Sequence, residues 1–163
     1  MSADWKKLLA VAYEVAKQSH DPSTRNGALL VDDNGVVLGS DYNQFPCGVQ
    51  ETPKRWERPL KYRVIEHAER NVIFKLARLG ISTDGLTMVC PWSPCSDCAR
   101  AIIQAGICAL VEHKQANDRT SEFWRGELEI AHEMLHDAGV EVITYDGEVG
   151  IKGALHNGQL WNP

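Results

Sequence analysis

The sequence predicts an α/β protein, a five-stranded mixed sheet held between layers of helices. Three observations lead there. In the second half, apolar runs of strand length alternate with segments of helical period, an order that right-handed crossovers turn into parallel strands. In the first half, two short apolar runs flank Asp33-Asn34-Gly35, a tight-turn signal that adds an antiparallel hairpin at the sheet edge. The 163 residues, 44% of them hydrophobic, suffice for one domain with its own core.

The elements follow in order. Asp4 to Ser19 reads as a helix, because Trp5, Leu8, Leu9, Ala12, Val15 and Ala16 recur at helical spacing, and Asp21-Pro22 ends it. Gly27 to Val31 and Val36 to Gly39 are the hairpin strands. Asp41 to Lys61 is a long polar segment with three prolines, a kind that is usually functional or disordered. His67 to Leu79 is helical and stops at Gly80. Leu86 to Cys90 is a strand, Cys95 to Ala105 a helix closed by Gly106, and Cys108 to Glu112 a strand. Ser121 to Ala138 is a helix with Ser121 as N-cap and Gly139 past its end, and Val140 to Tyr145 is the last strand. One domain is expected over 1–145. Asp146 to Pro163 is a glycine-containing tail without a clear period.

Composition narrows the function. A formal charge of −5 argues against a protein that grips nucleic acid along its whole surface, while leaving room for a local basic pocket. Met1 to Leu9 carries Asp4, Lys6 and Lys7 and does not read as a signal peptide, and no stretch is long enough to span a membrane. The five cysteines, an odd number, point to a reducing cytoplasm rather than a disulfide scaffold. Metal binding is the leading reading of the close pair Cys95 and Cys98.

That pair follows Pro94 at a helix start, where residues three apart share a face and both sulfurs can reach one ion. The positive end of the helix favours thiolate over thiol. His67 opens another helix and supplies a third ligand. Three protein ligands with an open fourth position is the pattern of a catalytic zinc; structural zinc is closed by four. Glu69 lies two positions after His67 and can reach the same place only from the first helical turn. There it would take a proton from water made acidic by the metal.

Other readings exist. Cys95 and Cys98 could be a thioredoxin-like redox pair, or Cys90 could close a structural zinc knob. Cys47 and Cys108 read as packing residues. His132-Glu133-Met134-Leu135-His136 fits the zinc-protease pattern H-E-x-x-H. However, its helix carries a core stripe at Trp124, Leu128, Ala131, Leu135 and Ala138, and both histidines flank it as a solvated side would.

His67-Ala68-Glu69 followed by Pro94-Cys95-Ser96-Asp97-Cys98 resembles the H-x-E…P-C-x-x-C signature of zinc deaminases. Ser19 to Thr24, Gly27-Ala28, Tyr42-Asn43, Phe45-Pro46, Lys61-Tyr62 and Ile102 to Ile107 further resemble the deoxycytidylate deaminase family, from about Lys6 to Tyr145. The resemblance implies a cytidine deaminase-like three-layer α/β/α sandwich, with zinc on His67, Cys95 and Cys98 and Glu69 as proton shuttle. It implies dCMP as substrate, with Asn43 at the sugar and Ala68 beside the base. Trp92, Ser93 and Pro94 fall at the pocket wall, and Asn26 and Ala28 near the base. It also implies a homo-oligomer with the zinc helices near the interface.

Lys54, Arg55, Arg58, Lys61 and Arg63 gather five cations against Glu57 alone, which suits either a phosphate ligand or a solvated loop. Arg78 matches an arginine that in some family members links the site to a nucleotide effector. Asp41-Tyr42-Asn43-Gln44 replaces the family's G-Y-N-G, putting a negative charge where backbone would approach a triphosphate. Asn26 stands where valine is common, which could move specificity toward a modified pyrimidine or another ring. The rival functions are a nucleoside or free-base deaminase, an adenosine editor of structured RNA, and a zinc module without activity.

Overall fold

The computed structural model describes residues 4–163; residues 1–3 of the expected domain lie outside the described residues. The chain runs α1 (Trp5–Ala16), β1 (Gly27–Val31), β2 (Val37–Tyr42), α2 (Lys61–Val64), α3 (Ala68–Leu79), β3 (Thr87–Val89) and α4 (Ser96–Gln104). It continues with β4 (Ala109–His113), α5 (Lys114–Asn117), α6 (Glu122–Asp137), β5 (Glu141–Tyr145), β6 (Ala154–His156) and β7 (Gln159–Trp161). The main sheet has the order β2-β1-β3-β4-β5. β1 runs antiparallel to both β2 and β3, while β3, β4 and β5 run parallel, so the expected five-stranded mixed sheet is what forms.

Side-chain alternation splits the core into two layers. Leu29 of β1 stands opposite Val89 of β3, which stands opposite Val111 of β4, and all three pack with Leu8, Leu9, Ala12 and Tyr13 of α1. The intervening row, Leu30, Met88 and Leu110, faces the other way, onto Val72 and Leu76 of α3, Ile102 of α4 and Leu135 of α6. Strands β1 and β4 are buried along their whole length because helices cover both faces. The contact of α1 with β1 is close enough to demand glycine at 27. A Cβ there would lie 2.3 Å from the Ala12 carbonyl oxygen and 2.7 Å from the Ala16 nitrogen.

The first hairpin turns at Gly35, φ 77°, with Asp32 accepting from the Asn34 and Val36 amides. The long segment 41–61 is ordered. It holds a 3₁₀ turn, Pro53–Trp56, whose Trp56 meets Phe45 edge-on at 4.7 Å, and its end enters α2. A two-residue bridge between Gln44 and Glu66 ties it to the start of α3. The segment after Tyr145 shows no period in sequence, yet its residues Ala154–Trp161 form the hairpin β6–β7. Asn157 (φ 48°) and Gly158 (φ 74°) make its turn, the same Asn-Gly signal that marks the first hairpin. Ala154 and Trp161 pack against the α1 layer. Ala138 of the expected α6 stripe is exposed, because the helix has already ended at Asp137. No helix among the described residues is long and apolar enough to cross a membrane.

Candidate active site

Two helix N-termini meet at the site: α4 follows strand β3, and α3 follows the ordered segment and α2 after β2. His67 is the N-cap of α3 and Cys95 the N-cap of α4, both with extended backbone and neither using its side chain to cap. Cys98 sits one turn into α4. The ligand atoms of His67, Cys95 and Cys98 all lie within 4.8 Å of one another. His67 Nδ1 is 3.6 Å from Cys95 Sγ and 3.5 Å from Cys98 Sγ. A tetrahedral zinc with bonds of about 2.05 Å to nitrogen and about 2.3 Å to sulfur sets that separation at about 3.6 Å. The residues therefore fit the ion. Among the described residues Cys90 does not join the cluster; it is buried and accepts from Asn26 Nδ2 at 3.2 Å. The fourth position is left open. Cys47 and Cys108 are exposed rather than packed: Cys47 lies in a turn and Cys108 just ahead of β4.

Electrostatics prepare the sulfurs. A hydrogen bond from Cys98, and then from His67, pulls the Cys95 thiol down to about 4 against the effect of burial. The same shared proton, with burial, pushes Cys98 well up. Burial opposes a proton on His67, but the Cys95 hydrogen bond and the Glu69 charge outweigh it and raise its pKa. Arg70 bonds Glu66 and lies 3.5 Å from Asp97 Oδ2, bringing a cation from α3 to the thiolate end of α4.

Glu69 is 3% exposed, and its Oε2 has no hydrogen-bond partner. Burial first, then the Cys95 charge, raises its pKa. It faces the same cavity as His67, Ala68 and Cys95. An unpartnered carboxyl oxygen held in an apolar setting is suited to carrying a proton between substrate atoms.

Of the expected substrate contacts, Asn26, Asn43, Ala68, Trp92 and Ser93 line this cavity. Ala28 and Pro94 do not. Ala28 points from β1 into the core beside α3, and Pro94 is buried where the loop enters α4. The amide of Asn43 holds the loop. Its Nδ2 donates to Asp21 Oδ2 (3.0 Å) and the Thr24 carbonyl (2.9 Å), and its Oδ1 accepts from the Asn26 amide (2.8 Å). Asn26 Oδ1 is buried without a partner. Lys61 is not a free cation either: it is buried with Nζ 2.6 Å from Asp21 Oδ2. Arg58 also lines the cavity and is exposed; among the described residues its side-chain hydrogen bond goes to the neutral Ser23 Oγ, at 3.0 Å, and its guanidinium lies 5.8 Å from the centre of the Tyr62 ring. Arg78 lies elsewhere, in a second cavity with Asp41, Gln44 and Glu66.

The H-E-x-x-H pattern resolves into a support. His132 Nε2 lies 3.2 Å from Glu112 Oε2, while His136 is out in solvent. Glu112, buried in β4, also accepts from Ser93 Oγ (2.6 Å) and Thr144 Oγ1 (3.1 Å). The loop that carries Cys95 is thereby tied to the sheet.

Several cavity residues escape the sequence reading. Trp124 and Leu128 continue the α6 stripe in sequence but leave the core to line the cavity, as does Tyr62. His156 and Asn157 come from the β6–β7 turn. The Asn157-Gly158 pair was the signal that could have found them.

An N,S,S ligand set with one open position, beside a buried acid outside the set, on an α/β/α sandwich, defines a hydrolytic zinc enzyme. Residues 2–114 match the cytidine and deoxycytidylate deaminase zinc-binding region, and the chain belongs to that family of zinc-dependent deaminases. It is 34% identical to an uncharacterized deaminase of Aliivibrio fischeri over 143 residues, 87% of this chain and 94% of that protein. It is 33% identical to the deoxycytidylate deaminase of Homo sapiens over 111 residues, 64% of this chain and 61% of the human protein's length. Among solved structures, the dCMP deaminase of cyanophage S-TIM5, crystallised with dCMP and dUMP, superposes with a TM-score of 0.61 at 26% identity. That match covers 86% of this chain and 93% of the phage chain.

Proposed function

We propose that the protein deaminates dCMP, consuming water and releasing dUMP and ammonia. The observation that carries this reading is the unpartnered Glu69 Oε2 in a cavity that is also lined by His67 and Cys95 of the ligand set and by the exposed Arg58. Zinc, when bound, lowers the pKa of water and so supplies a nucleophile at neutral pH. Glu69 accepts the proton that the attacking water gives up. It delivers that proton to N3 of the cytosine ring, which makes C4 more electrophilic. It then takes the second proton from the hydroxyl that water has added at C4 and passes it to the amino nitrogen; the C4–O bond becomes the carbonyl as the C4–N bond breaks and ammonia leaves. Ala68 and Asn26 border the ring, and Trp92 and Ser93 form the wall. Arg58, the cavity cation without a carboxylate partner among the described ion pairs, receives the 5′-phosphate. The enzyme works in the cytoplasm, in keeping with five unpaired cysteines, and as a homo-oligomer, in keeping with exposed Phe74 and Leu79 on α3.

The test is ammonia release across cytosine and purine bases, nucleosides and monophosphates, with zinc content measured in parallel. Glu69→Gln is expected to keep its zinc and lose turnover by about 10²–10⁴-fold. Equal turnover of free base and of dCMP, or an active Glu69→Gln, overturns the reading.

A further inference from the structure

We propose that the β6–β7 hairpin is a substrate-reading wall of the active site. In this reading Asn157 contacts the phosphate, and His156 the sugar, of a pyrimidine nucleoside 5′-monophosphate. The inference rests on the function proposed above and extends it to a segment that carries no deaminase motif.

Four observations converge on the hairpin tip. His156 and Asn157 line the same cavity as His67, Glu69 and Cys95. The tip is fastened to the loop that leads to Asn26: the Gly158 amide donates to the Ser23 carbonyl (2.9 Å), the Asn157 amide to Thr24 Oγ1 (3.1 Å), and the Arg25 amide to the Leu155 carbonyl (3.1 Å). Ser23 joins this set to Arg58, whose Nη2 donates to its Oγ. The candidate phosphate cation and the hairpin tip are therefore held together through one residue.

The third observation is chemical. The His156 ring stacks on Trp92 at 4.4 Å and 29°, and neither of its nitrogens has a hydrogen-bond partner among the described residues. Burial, with Arg119 nearby, lowers its pKa, so the ring is neutral and offers one donor and one acceptor, as sugar hydroxyls require. Asn157 is the one described non-glycine residue in the left-handed region, and its side-chain amide also lacks a protein partner among the described residues. The fourth is depth. Glu69 and Ala68 are buried at the floor, whereas Arg58 and Asn157 are exposed at the rim. A cytosine ring that reaches the floor leaves its sugar midway and its phosphate at the rim.

The test is titration calorimetry of dUMP and deoxyuridine into the full zinc-loaded protein, which reads binding without turnover. Asn157→Gly keeps the positive φ and removes the amide. It is expected to weaken dUMP about tenfold and leave deoxyuridine unchanged. Asn157→Asp, which also tolerates this backbone, is expected to weaken dUMP further by repulsion and still spare deoxyuridine. His156→Phe keeps the stack on Trp92 and removes the nitrogens, and is expected to weaken both ligands. Thermal midpoint and zinc content of each variant, matching the parent's, separate lost contact from lost fold. If the parent binds dUMP and all three variants bind both ligands equally well, the hairpin inference fails and the function stands. If the parent itself binds no monophosphate, both fall.

Discussion

Lys61→Met is the substitution for which the structure gives the firmest number. Lys61 and Asp21 form an ion pair at 2.6 Å, with side chains only 8% and 1% exposed. Removing one partner of a buried pair leaves an uncompensated charge and costs about 3–5 kcal/mol. Asp21 would not be left bare: the Ser23 and Thr24 amides donate to Oδ1 at 2.8 and 3.2 Å, and Asn43 Nδ2 donates to Oδ2 at 3.0 Å. Three remaining donors place the loss at the lower end, about 3 kcal/mol. For a chain of this length that lowers the melting temperature by about 6–12 °C. Urea unfolding at saturating zinc measures it. A loss under about 1 kcal/mol refutes the account of Lys61 as a structural cation.

Three further outcomes are expected. Gly27→Ala drives a methyl into the backbone of α1 at 2.3 Å, so α1 must shift; a loss of about 1–3 kcal/mol in urea unfolding is expected, and an unchanged midpoint would show that α1 is not seated as described. Cys98→Ala removes one of three ligands and should yield protein without stoichiometric zinc by metal analysis, together with a lower melting temperature that added zinc no longer raises. The third concerns pH. The hydrogen bond to Glu112 raises His132 above its ordinary 6.5, and the bonds from His132, Ser93 and Thr144 outweigh burial to hold Glu112 below its ordinary 4.5. The His132 share of stability is complete below about pH 6.5 and is lost as pH rises through its folded pKa. The Glu112 share is complete above about pH 4.5 and is lost as pH falls through its folded pKa. The stability difference between the parent and His132→Gln should therefore be larger near pH 6 than near pH 8.5. With His132 40% exposed, solvent screening keeps it under about 1 kcal/mol. A difference that grows with rising pH would contradict the pairing.

Local pattern was enough for much of this protein. Helical spacing from Trp5 to Ala16, the turn at Asn34-Gly35, and the alternation after His67 are short-range signals, and the mixed sheet follows from them by crossover handedness. The ligand set was legible for the same reason. His67 and Cys95 act from helix N-caps, positions that sequence marks, and Cys98 and Glu69 lie within three residues of them. What a one-dimensional pattern cannot carry is which side chains from distant segments fill one another's hydrogen bonds. Lys61 reads as a free cation beside four others, and only its approach to Asp21, forty residues earlier, makes it a buried partner. His132 reads as half of a protease motif until Glu112 of another element turns it into a support for Ser93. Trp124 and Leu128 keep the spacing of core residues, and the position of α6 relative to the sheet assigns them to the cavity instead. The turn at Asn157-Gly158 is written in the chain as plainly as the first one. Its place above Trp92 is not, because that depends on long-range bonds to Ser23 and Thr24 that form only when the whole sheet is assembled.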